Sequence, residues 1–218
     1  MINILKNYIR INKIFWKYKH LIHKDIWINY LDSYKSERRN FYSNFADNHS
    51  VNAVFEFGCA SGPNLKNIQS YAAFEPFCFG IDINADAINL AKQNFNSEKS
   101  YFTTEHNRNL IEKTLRKWSL SSFDIAIYDR VLYLLSEKEV FKHFEEYGDL
   151  FKFVIIDDFH NADLRDQNDS YKSKNYKDIL SKCGFQLIQN NKSEHKVGDA
   201  FFERSARRLV FSQIQKNI

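Results

Sequence analysis

The sequence predicts an α/β domain built on a doubly wound, mostly parallel sheet of seven strands, preceded by a helical extension. Three observations predict it. Short, nearly continuous apolar runs, such as 123–128 and 151–157, alternate with stretches of helical spacing. That is the pattern of parallel strands covered on both faces by crossover helices. The run over 51–57 ends in Gly58-Cys59-Ala60-Ser61-Gly62-Pro63, and helical spacing resumes directly after it. The next run ends in Asp82, about 20 residues beyond the glycine turn, where strand-end acids of nucleoside-binding sheets stand.

The elements follow in order. Ile4, Tyr8, Ile11, Phe15, Tyr18 and Ile22 recur at steps of three and four, so 3–24 reads as a basic amphipathic helix. A second helix is expected over 25–46, with Trp27, Tyr30, Tyr34, Phe41, Tyr42 and Phe45. The run over 51–57 is β-branched and aromatic and reads as the first strand, with a helix over 65–71 after the turn. A strand over 77–83, a helix over 85–94, a weaker strand over 101–104 and a polar helix around 109–118 come next. The strand over 123–128, the helix over 137–147 and the strand over 151–157 are the most sharply patterned part. Residues 160–171 are polar and read as a loop. A helix over 176–183 is closed by Gly184, a C-terminal stop signal. The strands over 185–189 and 208–212 have no clear helix between them, which predicts an antiparallel pair at one edge. Two segments result, a helical extension over 1–50 and a domain over 51–218.

Composition narrows the function classes. A chain of 218 residues with a hydrophobic share of 44% has material for one large core. It has no run of about 20 apolar residues, so no membrane-spanning helix is expected. The N-terminus lacks an apolar core and a small-residue cleavage site, so it does not read as a secretory signal. Cys59, Cys78 and Cys183 are odd in number and widely spaced, which points to a reducing cytoplasm and to no structural zinc or metal site. Residues 1–50 hold nine Lys and Arg against four Asp and Glu, so the whole net charge of +4 resides there. That excess is too small to argue for nucleic acid. A basic amphipathic pattern over 3–24 allows peripheral contact with an anionic membrane or glycolipid, while packing over the active site is the simpler role.

The turn Gly58-x-Ala60-x-Gly62 is suited to backbone chemistry. Small residues let the main chain approach a nucleoside, and the helix that follows presents free N–H groups. Pro63 fits the first turn of that helix, where its missing N–H has no partner to lose. Asp82 offers two acceptor oxygens to the two hydroxyls of a ribose. A dinucleotide site, as in an NAD-dependent oxidoreductase, wants a third glycine on the helix. Here no glycine follows Gly62 until Gly80. Asp157, Asp158 and His160 end the fifth strand, and with Asp129 after the fourth they form a candidate acid/base or metal group. His160 is the residue to take a proton near neutral pH.

The segments VFEFGCASGPNL and FGIDINADAINLA resemble the first and second motifs of class I S-adenosylmethionine (SAM)-dependent methyltransferases. FDIAIYDRVLYLL and KNYKDILSKCGFQLI resemble the fourth-strand segment and the closing helix and sixth strand of their small-molecule branch. The resemblance covers about 51–212 and implies a Rossmann-like methyltransferase fold with SAM as cofactor. It implies that Glu56, Gly58, Ala60 and Gly62 cradle the amino-acid part of SAM, that Asp82 holds the ribose and that Ile83 touches adenine. Glu105 and His106 lie where the adenine amino group is met, and Asp129 near the methyl group. Ala60 stands where a glycine is common, and Gly148-Asp149-Leu150 replaces the usual Pro-Gly-Gly before the fifth strand. The implied reaction is methyl transfer to a small molecule, at a hydroxyl of a sugar or natural-product intermediate. His160, Asp129 and Asp158 are the candidate catalytic residues. N-methylation and magnesium-dependent O-methylation are the alternatives, and a non-catalytic nucleotide-binding subunit is the alternative outside enzymes. Tyr128-Asp129-Arg130-Val131 lacks the proline signature of amino methyltransferases acting on nucleic acid.

Overall fold

The computed structural model describes residues 13–18, 25–160, 173–194 and 206–214. Along the chain these form α1 (Lys13–Tyr18), α2 (Ile26–Asp32), short 3₁₀ turns at Ser33–Lys35 and Glu37–Arg39, and α3 (Asn40–Asn48). Then come β1 (Ala53–Phe57), α4 (Pro63–Tyr71), β2 (Phe77–Ile81), α5 (Ala85–Asn94), β3 (Ser100–Thr103), α6 (Arg108–Lys117) and β4 (Phe123–Asp129). The remainder is α7 (Glu137–Tyr147), β5 (Phe151–Phe159), α8 (Tyr176–Lys182), β6 (Phe185–Lys192) and β7 (Ala206–Gln213). The strands form a seven-stranded sheet in the order β3-β2-β1-β4-β5-β7-β6, the doubly wound α/β class read from the sequence. One compact unit spans Lys13–Ile127, and the described residues from Tyr128 onward belong to the other.

In the first unit, β1 runs parallel to β2 and to β4, and β2 runs parallel to β3. Registered aromatics hold these strands together. Phe55 is opposite Phe79 and Phe79 opposite Tyr101, with ring centroids 5.8 and 5.3 Å apart. Phe123 lies 5.5 Å from Phe55 and 5.9 Å from Phe79, so three fully buried rings form the core of this face. Such rings bring large apolar area and pack edge-on or offset. Asp124 joins the strand starts, because its Oδ2 accepts from the N–H groups of Asn52 and Ala53 at 2.7 and 3.0 Å.

In the second unit, β7 runs antiparallel to both β5 and β6. The expected antiparallel pair is therefore present, and β7 is its reversed member. Both strands extend past the predicted 185–189 and 208–212, because the mostly exposed β6 tolerates polar residues that continue the ladder. Helix α7 begins with a capping box between Ser136 and Glu139, the reciprocal pair that satisfies two orphan N–H donors. Gly184 takes φ +84 after α8, the left-handed turn its sequence position predicts.

The continuous helix expected over 25–46 is absent. Ser36 is extended, with φ −69 and ψ 136, and two 3₁₀ turns flank it. Ser33 Oγ donates to Tyr30 O at 2.5 Å, and Arg39 Nε donates to Ser33 O at 3.1 Å. These local bonds compete with helix continuation, and no apolar residue stands between Tyr34 and Phe41 to bury a helical face there. The second strand stops at Ile81, so Asp82 and Ile83 lie just beyond it. Of the helix expected over 3–24, 13–18 is helical, and the rest lies outside the described residues, as does the loop after His160. No helix among the described residues is long and apolar enough to cross a membrane.

Candidate functional site

The turn after β1 is left-handed at every second residue. Gly58, Ala60 and Gly62 have φ of 74, 50 and 84. Glycine takes this conformation freely, and an alanine there costs roughly 1–2 kcal/mol. Gly62 is the N-cap of α4, with Pro63 at its first position. A Cβ on Gly62 would stand 3.0 Å from two atoms of the Phe95 ring. The turn is also anchored. Gly58 and Cys59 donate to Ile81 O at 2.7 and 2.9 Å, and Gly62 donates to Cys59 O at 2.8 Å.

Asp82 latches this turn from the next strand. Its Oδ2 accepts from Ala60 N at 2.8 Å and its Oδ1 from Asn84 N at 2.8 Å. Burial raises its pKa above the ordinary aspartate value, and those two hydrogen bonds work in the opposite direction. Each carboxylate oxygen has a second lone pair. The residue therefore keeps acceptor capacity for two hydroxyls while holding the turn, and it is only half-buried. Ile83 is 48% exposed beside it, a bare apolar surface next to the acid. Beyond β3, Glu105 N is held by Thr103 Oγ1 at 3.0 Å, and the His106 ring packs edge-on against Phe57, 5.0 Å away. A small-residue cradle, an exposed isoleucine and a carboxylate with spare lone pairs are suited to a nucleoside.

Glu56, on β1, is buried and its Oε1 accepts from Asn64 Nδ2 at 2.6 Å. Ser61 Oγ donates to Trp27 O at 2.7 Å, and Asn67 Nδ2 to Tyr34 O at 2.8 Å. Asn84 caps α5 through Ala87 N at 3.0 Å, and its amide donates to Trp16 O and Lys17 O at 3.2 and 2.8 Å. The segment before β1 is thus fastened to the glycine turn and to the residues after Asp82. Sequence reasoning missed Ser61, Asn64 and Asn84. Their signal is polarity at turn and cap positions, which ordinary capping already explains.

In the second unit, the acids ending β5 divide among different partners. Asp157 is fully buried in a fork with Arg208, whose Nε and Nη2 lie 3.0 and 2.9 Å from Oδ2. Ser193 Oγ donates to its Oδ1 at 2.5 Å. Arg130, left-handed at φ 56 directly after Asp129, reaches 3.8 Å from Asp157 Oδ1 and lies 4.6 Å over the Phe159 ring. Asp158 is also fully buried and accepts from Tyr133 N at 3.0 Å and from its own neighbour Phe159 N at 2.8 Å. Burial pushes its pKa up to about 6, against the opposing pull of Arg130, Lys174 and the two N–H donors. Burial, and then the Asp158 charge, push the Tyr176 phenol well above its ordinary range.

His160 is buried, stacks on Tyr176, and has its Nδ1 3.1 Å from Lys174 O. A carbonyl accepts only, so Nδ1 bears the proton and Nε2 keeps its lone pair. Burial lowers the His160 pKa, which favours that neutral form. Asp129 closes β4. Among the described residues, no group of three His, Cys, Asp or Glu side chains is arranged to hold a metal ion.

A family profile described as "Methyltransferase domain" matches residues 48–202, well over half of the chain. A search of curated proteins found no match. Among solved structures, the chain resembles mitomycin 7-O-methyltransferase MmcR at TM-score 0.57 and 9% identity, covering 82% of this chain and 54% of that one. The chain thus spans about half the length of that protein. It resembles the magnesium protoporphyrin IX methyltransferase ChlM from Synechocystis PCC 6803, with bound SAH, at TM-score 0.59 and 14% identity over 85% and 86% of the two chains. It also resembles the small RNA methyltransferase HEN1 at TM-score 0.57 and 16% identity, over 84% of this chain and 26% of that one. At such identities the structural likenesses speak for the fold, and the profile match speaks for the family. With a seven-stranded sheet of matching class and a glycine turn latched to a strand-end aspartate, the chain belongs to the methyltransferase-domain family, as a class I SAM-dependent methyltransferase.

Proposed function

We propose that this methyltransferase transfers the SAM methyl group to a hydroxyl of a small-molecule acceptor, with His160 as the base. The observation that carries the hydroxyl reading is the contact of His160 Nδ1 with the Lys174 carbonyl, from which the tautomer follows. Its Nδ1–H is committed to the Lys174 carbonyl at 3.1 Å, which leaves Nε2 as a lone-pair acceptor. SAM supplies an electrophilic methyl on a sulfonium. With SAM bound, the acceptor oxygen would take that methyl, sulfur would keep the carbon–sulfur bonding pair and leave as the neutral thioether, and His160 Nε2 would hold the hydroxyl proton. A hydroxyl needs such a base more than an amine does, because its ordinary pKa lies far above neutrality.

Within this reading Glu56, Gly58, Ala60 and Gly62 hold the amino-acid end of the cofactor. Asp82 takes the ribose hydroxyls, and Ile83, Glu105 and His106 surround adenine. Asp129 stands near the methyl group. Asp158 serves indirectly, holding Tyr133 and Tyr176, the ring on which His160 stacks. Residues 1–50 serve as a cap, supported by the bonds from Ser61, Asn67 and Asn84 to Trp27, Tyr34, Trp16 and Lys17. The free thiols Cys59, Cys78 and Cys183 support a cytoplasmic setting.

The test is methyl transfer from labelled SAM to a panel of small-molecule alcohols, phenols and amines, followed by the pH dependence of kcat on the best acceptor. Wild type should lose rate only below pH 6.5, because the lowered His160 pKa keeps the base neutral above it. His160→Ala should lose roughly 10²–10⁴-fold in kcat and lose that acid limb. Preference for amines, or an unchanged profile in His160→Ala, would remove the hydroxyl reading and its base.

A further inference from the structure

Arg39, Asn64 and Glu56 form a buried line from the segment before β1 into the cofactor strand. They are 5%, 2% and 1% exposed. Arg39 Nη1 donates to Asn64 Oδ1, and Asn64 Nδ2 donates to Glu56 Oε1 at 2.6 Å. The guanidinium also binds its own segment, with Nε on Ser33 O at 3.1 Å and Nη2 on Ser33 Oγ at 3.0 Å. Arg39 therefore ties the two 3₁₀ turns together and, through the Asn64 amide, reaches the carboxylate that precedes Phe57 and Gly58.

We propose that Arg39 is a positioning residue of the SAM site, acting through Asn64 to hold the Glu56 carboxylate, so that the segment 33–39 sets affinity for the amino-acid end of the cofactor. This rests on the reading that Glu56 and the glycine turn receive that end. Three physical points support it. The amide orientation is determined by its neighbours, because a flipped Asn64 would set NH₂ against a guanidinium and oxygen against a carboxylate. A cation on Oδ1 polarises the amide and strengthens the N–H bond to Glu56, more so where water is excluded. Removing the cation leaves a buried carboxylate with a weaker donor, and such a group rearranges, takes up water or neutralises. In each case the acceptor offered to a ligand's ammonium changes, although Arg39 need not touch the ligand. Reciprocity follows, because whatever Arg39 adds to cofactor affinity the cofactor adds to docking of 33–39.

The experiment is calorimetric titration of SAH into the full chain as wild type, Arg39→Met, Glu56→Gln and the double variant, each verified as folded by circular dichroism. Amide hydrogen exchange of 33–39 is followed with and without SAH. Arg39→Met should weaken SAH about tenfold, or roughly 1.4 kcal/mol. In the Glu56→Gln background the same change should cost about twofold or less, since groups acting through one contact are not additive. SAH should slow exchange in 33–39 of wild type and lose that effect in Arg39→Met. Arg39→Lys keeps the charge without the fork. It should lose affinity as well, and it gives the answer if Arg39→Met does not fold. SAH affinity indifferent to both Arg39 substitutions would overturn the relay, and so would an undiminished cost in the Glu56→Gln background. Absence of SAH binding to wild type would overturn the cofactor reading itself and the relay with it.

Discussion

Asp158 should make this protein's stability fall as pH rises from about 4 to 6, the reverse of the usual carboxylate contribution. Its side chain is fully buried and accepts from two backbone N–H groups, with cations nearby. Burial outweighs these and sets its pKa at about 6, against 3.8 for the unperturbed group. The folded state thus binds the Asp158 proton more tightly than the unfolded chain does. The stabilisation is complete below pH 3.8 and is lost as pH rises through 6. At about 1.36 kcal/mol for each pH unit between the two values, the interval is worth about 3 kcal/mol. The assay is urea unfolding of wild type and Asp158→Asn at half-unit steps from pH 4 to 7.5. Other carboxylates titrate in both proteins, and the fixed cost of a misfitted amide beside two N–H groups is independent of pH. The difference between the two stabilities therefore isolates Asp158. It should move against wild type with a slope approaching about 1.36 kcal/mol per pH unit between pH 4 and 6, then level off. A flat difference, or one that moves in favour of wild type as pH rises, would refute the reasoning. The latter would mean that Arg130 and Lys174 prevail over burial.

Gly62→Ala should cost about 2–4 kcal/mol in urea unfolding, from the left-handed backbone and from a Cβ only 3.0 Å from the Phe95 ring. An unchanged midpoint would mean that the turn relaxes without penalty. Asp82→Ala should weaken SAH in calorimetry by roughly tenfold or more, since it removes two acceptors for the ribose and the latch on Ala60 N. Equal affinity would remove Asp82 from the site.

The legible part of the fold is the part where local and long-range preferences agree. Helix α7 carries Ser136 and Glu139 at capping-box spacing, and its boundaries match its apolar period. Strands β1 and β4 are apolar along nearly their whole length because both faces are covered. The segment 25–46 misleads because aromatics stand at both its ends, Trp27 to Tyr34 and Phe41 to Phe45, while bonds at Ser33 and Arg39 redirect the polar stretch between them. Hydrophobic period registers which face is buried and is blind to such bonds. The glycine turn is readable for the opposite reason. Left-handed backbone at alternate positions restricts residue type, so it leaves a mark in the sequence. The bonds from Asn64, Ser61 and Asn84 leave none, because an asparagine or serine at a helix start is already accounted for by capping.

At the end of β5 the sequence displays two adjacent aspartates as near equivalents, and the pleat separates them. Neighbouring strand residues project to opposite faces, and the antiparallel register sets Asp157 opposite Arg208 and Asp158 opposite Arg207. Asp157 meets the Arg208 fork, whereas Asp158 meets backbone N–H groups and the Tyr176 phenol. A parallel strand in the place of β7 would have brought a different register and a different partner. The reversed strand therefore makes Asp157 half of an ion pair, while burial leaves Asp158 a carboxyl whose proton is half-retained near pH 6. The ion pair leaves Asp157 a weak base, whereas a carboxyl with a pKa of about 6 has the strength to take a proton near neutral pH. What sets Asp158 apart is geometry, because each of its oxygens already accepts from a backbone N–H. His160 differs from both. Its one committed nitrogen is a donor to a carbonyl, and burial keeps the other unprotonated. The proposed base role of His160 therefore rests on the geometry of its two ring nitrogens, and β7 bears on it only by pairing Arg208 with Asp157.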